Sequence, residues 1–86
     1  MEIRIEPHTL KRATERGASK TEIISCLKSG QILPAKNGRF AKEMVFNFNS
    51  NWNGKFYEQK KIEVIYTIDN KVIVTITVYV FYSKWE

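Results

Sequence analysis

An α+β fold, two N-terminal helices packed on a four-stranded antiparallel meander, is predicted by three features of this chain. Apolar residues recur at helical spacing as far as Gly30 and in alternation after it. A capping signal separates two helical stretches before that point. Asn-Gly pairs stand between the apolar runs that follow, where a meander needs its turns. At 86 residues the chain makes one domain, 1–86. With 43% hydrophobic and 27% charged residues its composition is that of a globular protein.

The elements follow in order. The opening "MEIRIE" alternates apolar and polar and suits a short strand outside the meander. Pro7 fits the first turn of a helix, where its missing N–H is no loss, and Gly17 stops that helix just past Arg16. In "SKTE", Ser19 is an N-cap and Glu22 stands three residues on, a capping box that satisfies two otherwise unpaired N–H groups. The helix it starts turns Ile23, Ile24 and Leu27 inward and ends at Gly30. "QILPA" reads as an edge strand, since Pro34 cannot donate to a ladder. Asn37-Gly38 turns the chain into "RFAKEMVFNF", and "NSNWNGK" reads as a polar loop. "FYEQKKIEVIYTI" is a long strand, turned at Asp69-Asn70 into "KVIVTITVYVFY".

Strict alternation divides the last two strands into two faces. Ile62, Val64, Tyr66 and Ile68, with Val72, Val74, Ile76, Val78 and Val80, form an apolar floor for the helices. Lys61, Glu63, Ile65 and Thr67, with Ile73, Thr75, Thr77, Tyr79 and Phe81, form a mixed face open to a ligand.

Charge and cysteine use narrow the function classes. The net charge is +5, and residues 9–42 hold eight Lys or Arg against Glu15 and Glu22. That segment is +6 and the remainder −1. A positive field concentrated in one segment favours a polyanion, nucleic acid first and an acidic protein second. One cysteine, Cys26, excludes an internal disulfide; its apolar run "EIISCLKSG" marks it as a core residue. One Cys and one His are too few for the usual zinc ligand set, so neither metal nor cofactor is expected. No apolar run is long enough to cross a membrane, and a cytoplasmic location is expected.

The stretch "HTLKRATERG" carries the chemistry. Each four-residue step along a helix adds about 40° beyond a full turn. His8, Arg12 and Arg16 therefore share one stripe, with Leu10, Ala13 and Gly17 on the buried side. That set suits metal-independent RNA cleavage. A base takes the proton of the ribose 2′-hydroxyl, which attacks phosphorus. An acid protonates the departing 5′ oxygen, and cations hold the charge of the pentacoordinate phosphate. Imidazole serves as base or acid near neutrality, and guanidinium offers a planar fork to phosphate oxygens. A solvated helix face has the same spacing, so the pattern alone leaves both readings open.

"HTLKRATERGASKTEIISCLKSG" resembles the domain of unknown function family 4258, whose hallmark is a helix with His, Arg and Arg-Gly followed by a capped helix and a sheet. The helix–helix–meander order is also similar to the barnase–EndoU–colicin–RelE ribonuclease group. That resemblance implies a RelE- or barnase-like fold and a metal-independent endoribonuclease toxin, restrained by an acidic antitoxin or immunity protein. It implies catalytic roles for His8, Arg12, Arg16 and Tyr79, with Tyr82 a second C-terminal counterpart and Glu63 an alternative base, and RNA contacts from Lys11, Lys60 and Lys61. Trp52, an aromatic among Asn and Gly, either stacks on a base or plugs the end of the core. Trp85 is expected to pack back on a helix. The rival reading keeps the scaffold and drops catalysis, leaving a basic module that binds nucleic acid or protein. A third, that the chain is itself the restraining partner, conflicts with its positive charge.

Overall fold

A computed structural model describes residues 1–34 and 36–85. The elements are β1 (Glu2–Arg4), α1 (Pro7–Arg16), α2 (Lys20–Ser29), β2 (Gln31–Leu33), β3 (Phe40–Trp52), β4 (Lys55–Asp69) and β5 (Val72–Ser83). Local signals account for most boundaries. Pro7 opens α1, and Gly17 ends it at φ 93°, its N–H donating to the Ala13 carbonyl. Both bonds of the Ser19/Glu22 capping box are present. The turns at Asn37-Gly38 and Asn53-Gly54 have positive φ at both residues, the conformation that matches strand twist in tight hairpins.

The sheet departs from the expected meander. It has five strands rather than four, ordered β1-β5-β4-β3-β2, and it is mixed: β1 lies parallel to β5, with Glu2, Ile3 and Arg4 opposite Val72, Ile73 and Val74. Parallel pairing joins the two ends of the chain through everything between them, so no local pattern announces it. β2 stops at Leu33, before Pro34 takes away a donor. Ala35, the expected end of that strand, lies outside the described residues.

Two further expectations are corrected. The polar stretch from Asn49 is strand rather than loop: β3 runs to Trp52, and the connection shrinks to Asn53-Gly54. A register shift between Asn47 and Ser50 absorbs Asn49, at φ 46°. The turn after β4 uses Asn70 and Lys71, both at positive φ, one residue later than expected.

A second irregularity reassigns faces. Ile65 opposes Thr77 but Tyr66 opposes Thr75, so Ile76 is an extra residue and the alternation of β5 changes phase there. Ile73 and Thr75 consequently join Val78 and Val80 under the helices, and Val72 and Val74 turn to the other side. The core joins Ala13 of α1 and Ile23, Cys26 and Leu27 of α2 to Ile62, Val64, Tyr66, Ile73 and Val78 of the sheet. Cys26 is fully buried as expected, its thiol donating to the Lys42 carbonyl at 3.3 Å. Among the described residues no helix is long and apolar enough to cross a membrane.

Candidate nucleic-acid interface

The orientation of α1 is set by polar contacts at both of its ends. At the N-terminal end Thr75, buried at 2% exposure, accepts a hydrogen bond from the Glu6 N–H at 3.0 Å and donates one to the Thr9 hydroxyl at 2.9 Å. At the C-terminal end the Tyr82 hydroxyl donates to the Arg16 carbonyl at 2.6 Å, and Lys60 Nζ donates to the Gly17 carbonyl at 2.7 Å. Both are carbonyls of the helix terminus, which the helix itself leaves unpaired. The buried stripe is therefore Thr9 and Ala13, with Leu10 only half-buried. This is a rotation from the expected Leu10–Ala13–Gly17 side, driven by the hydroxyl pair beneath Thr9.

That rotation grades the basic stripe from open to engaged. His8 and Lys11 are exposed. Arg12 is half-buried and its guanidinium donates to Glu15 at 2.8 Å, one turn on. This hydrogen bond, with the other nearby cations, holds the Glu15 carboxyl below its ordinary range. Arg16 lies nearest the sheet. Its guanidinium donates to the Val78 carbonyl at 2.7 Å and sits 5.1 Å from the centre of the Tyr79 ring.

The Arg16–Tyr79 contact answers a question of geometry. Tyr79 points to the open face, opposite Glu63, whereas α1 covers the other face. β1 accompanies β5 only as far as Val74, so beyond it that side of β5 has no strand neighbour among the described residues. Arg16 reaches round this free edge, which makes the stripe on α1 continuous with Tyr79. His8 lies at the far end, about 12 Å from Arg16 along the helix axis. His8 and Arg12 are one helical turn apart, and Arg16 meets Tyr79 a turn further on.

The remaining expected contacts divide. Lys60 is buried at 7% exposure, its ammonium held by Gly17, by Glu22 at 2.9 Å and over the Phe48 ring. It braces the turn after α1 and offers no free ammonium to RNA. Its phase with Ile62 and Val64 was the signal that it points inward. Trp52 stacks on Tyr82, ring centres 5.0 Å apart, and closes over Gly17, so it plugs the end of the core. Burial, and then the charge of Glu22, push the Tyr82 phenol up to about 12. Lys61 is on the open face, 3.7 Å from Glu43 and over the rings of Phe81 and Trp85. Trp85 therefore packs beside the sheet's open face rather than on a helix.

Tyr82 and Thr75 are the residues whose importance the sequence pattern understated. Both act by hydrogen bonds to segments more than sixty residues away. Among the described residues there is no group of three His, Cys, Asp or Glu side chains placed to hold a metal ion.

No curated protein and no solved structure matches the chain. Residues 5–80, which include both helices and most of the sheet, match the family described as a domain of unknown function, DUF4258. The matched span takes in the His8–Arg12–Arg16-Gly17 helix, Thr75 and Lys60 that pin its two ends, and the Tyr79 edge, and the chain belongs to that family.

Proposed function

We propose that this domain is a metal-independent endoribonuclease of the toxin kind, gripping RNA along the outer stripe of α1 and restrained by an acidic partner that covers the same stripe. The observation that supports it most is the pinned helix. Hydrogen bonds at both ends of α1 leave His8 and Lys11 exposed and Arg12 half-buried beside Glu15, while Arg16 turns round the free edge of β5 to Tyr79. The likeness to the barnase–EndoU–colicin–RelE group, with its helix–helix–sheet order, belongs to this same reading.

In this reading His8 accepts the proton of a ribose 2′-hydroxyl as that oxygen attacks the adjacent phosphorus. Arg12, one turn away, takes the charge that builds on the phosphate oxygens. The bond from phosphorus to the 5′ oxygen breaks, and that oxygen takes a proton from water. Arg16 and Tyr79 stand a helical turn beyond and hold the neighbouring nucleotide, so Tyr79 serves positioning rather than proton transfer.

A second reading, RNA binding without cleavage, is favoured by a specific observation. The guanidinium groups of Arg12 and Arg16 already have internal partners in Glu15 and the Val78 carbonyl. One experiment separates the two. Total RNA incubated with the purified chain in EDTA yields 2′,3′-cyclic phosphate ends, and His8→Ala abolishes them while leaving RNA binding in place. Binding with no cleavage from pH 5 to pH 9 selects the second reading; no binding at low salt removes both.

A further inference from the structure

A cavity of about 290 Å³ opens at the end of the β2–β3 hairpin, lined by Pro34, Lys36, Arg39, Phe40, Ala41 and Ile65. Its character is unlike that of the rest of the surface. The floor is apolar: Ala41 and Ile65 oppose one another in register on the open face. Phe40 borders the cavity and is 42% exposed, but its ring lies on the helix face, against Tyr66 at 5.6 Å between centres. The rim is cationic. Lys36 and Arg39 are both exposed, and among the described residues the lining holds no carboxylate. The larger cavity, about 380 Å³ at the β3–β4 hairpin tip, lacks this polarity, because Glu58 there pairs with Lys84 at 3.3 Å.

We propose that the hairpin cavity is a nucleobase subsite, which takes one base of single-stranded RNA against Ala41 and Ile65 and holds the adjoining phosphate on Lys36 and Arg39. The inference rests on the reading that the domain binds RNA. An apolar floor beside two cations that face no carboxylate in the lining matches the two halves of a nucleotide, a flat base and an anionic phosphate, and the bases of a single strand are unpaired and free to reach it. Position ties the cavity to the helix stripe. The row Ala41–Ile65–Thr77 crosses the open face, and Tyr79 lies two residues beyond Thr77 on β5. Ile65 is one strand spacing from β5 and Ala41 two, about 5 and 10 Å. An RNA strand held at Arg16 and Tyr79 reaches the cavity over the open face, and a duplex, whose bases are paired, does not fill it.

The test is a titration of the isotope-labelled full chain with a single-stranded oligoribonucleotide, followed by NMR, with the same ribose-phosphate chain lacking bases and polyglutamate as comparisons. The proposal expects shifts at Arg39, Phe40, Ala41 and Ile65 with the base-bearing strand. It expects Lys36→Ala/Arg39→Ala to weaken binding on the order of tenfold and to lower the salt dependence by about 0.7 for each phosphate no longer neutralised. Both residues are exposed, so the variant keeps the wild-type spectrum elsewhere. RNA binding with shifts confined to α1, and unchanged in the double variant, overturns the subsite and leaves the RNA reading intact. Equal affinity for the base-free chain or for polyglutamate also overturns it, since charge alone then suffices. Shifts nowhere with any RNA overturn both.

Discussion

At the C-terminal end of α1, Lys60 holds the Gly17 carbonyl and Glu22, Tyr82 holds the Arg16 carbonyl, and Trp52 closes over them. Two turns back on the same helix, His8 and Lys11 stand in water and Arg12 meets only Glu15, its own neighbour. Both regions are basic and both lie along the first helix, yet the cation of one, Lys60 of β4, is part of the scaffold and those of the other stand toward solvent. Basic residues in a sequence are thus of two kinds, and what separates them is whether a buried acceptor requires them. The carbonyls at the end of α1 are such acceptors, and so is that of Val78 for Arg16; the outer part of the stripe, from His8 to Arg12, has none.

The sharpest way to break the braced region is Gly17→Ala. A Cβ at this position would run into the Tyr82 hydroxyl, and φ 93° is a conformation that L residues rarely adopt. A loss of about 3 kcal/mol in urea unfolding is expected, from backbone strain and overpacking together. Lys60→Met comes next. It leaves the Gly17 carbonyl and Glu22 without their cation in a half-buried site, and about 2 kcal/mol should be lost. A Lys60→Met chain as stable as wild type would show that the brace is ornamental.

The braced and buried side should also fail first in alkali. Burial pushes the Cys26 thiol up from 9.0 to about 11 and, with Glu22, the Tyr82 phenol from 10.0 to about 12. Both groups are neutral in the folded chain where the unfolded chain has already ionised. Stability is therefore complete below pH 9 and falls as pH rises from 9 to 12, by on the order of 1–2 kcal/mol for each group. Urea midpoints measured across that range should flatten in Cys26→Ala and Tyr82→Phe; an unchanged slope in both would contradict the assignment. The smallest effect belongs to the open side. Lys61→Ala, next in sequence to Lys60, should change stability by less than about 1 kcal/mol, since at 3.7 Å its pairing with Glu43 is loose and no buried carbonyl depends on it.

How much of this was legible depended on how local each cause is. Gly17, Ser19 with Glu22, and the Asn-Gly turns act within a few residues, and each ends or starts its element as its chemistry requires. The parallel β1–β5 pair and the Thr75–Thr9 contact join distant segments, so nothing in their immediate sequence marks them. The extra residue Ile76 defeats alternation in a different way: Val72 and Val74 keep a regular apolar pattern while the register shift turns them over. At the candidate site the stripe itself was legible from helical spacing. Its rotation was not, because Thr9 is buried by a hydroxyl partner on β5, and with that rotation Arg16 leaves its helix neighbours for Tyr79.

The outer stripe of α1 meets phosphate, on the reading proposed above, while the brace beneath it does not. Affinity for a single-stranded oligoribonucleotide, measured over a range of salt for wild type, Arg12→Ala and Lys60→Met, addresses this most directly. Arg12→Ala is predicted to keep wild-type stability and to lose about 0.7 of the logarithmic salt slope, while folded Lys60→Met retains the full slope. A wild-type slope in Arg12→Ala, or its loss in Lys60→Met alone, would contradict the division between stripe and brace.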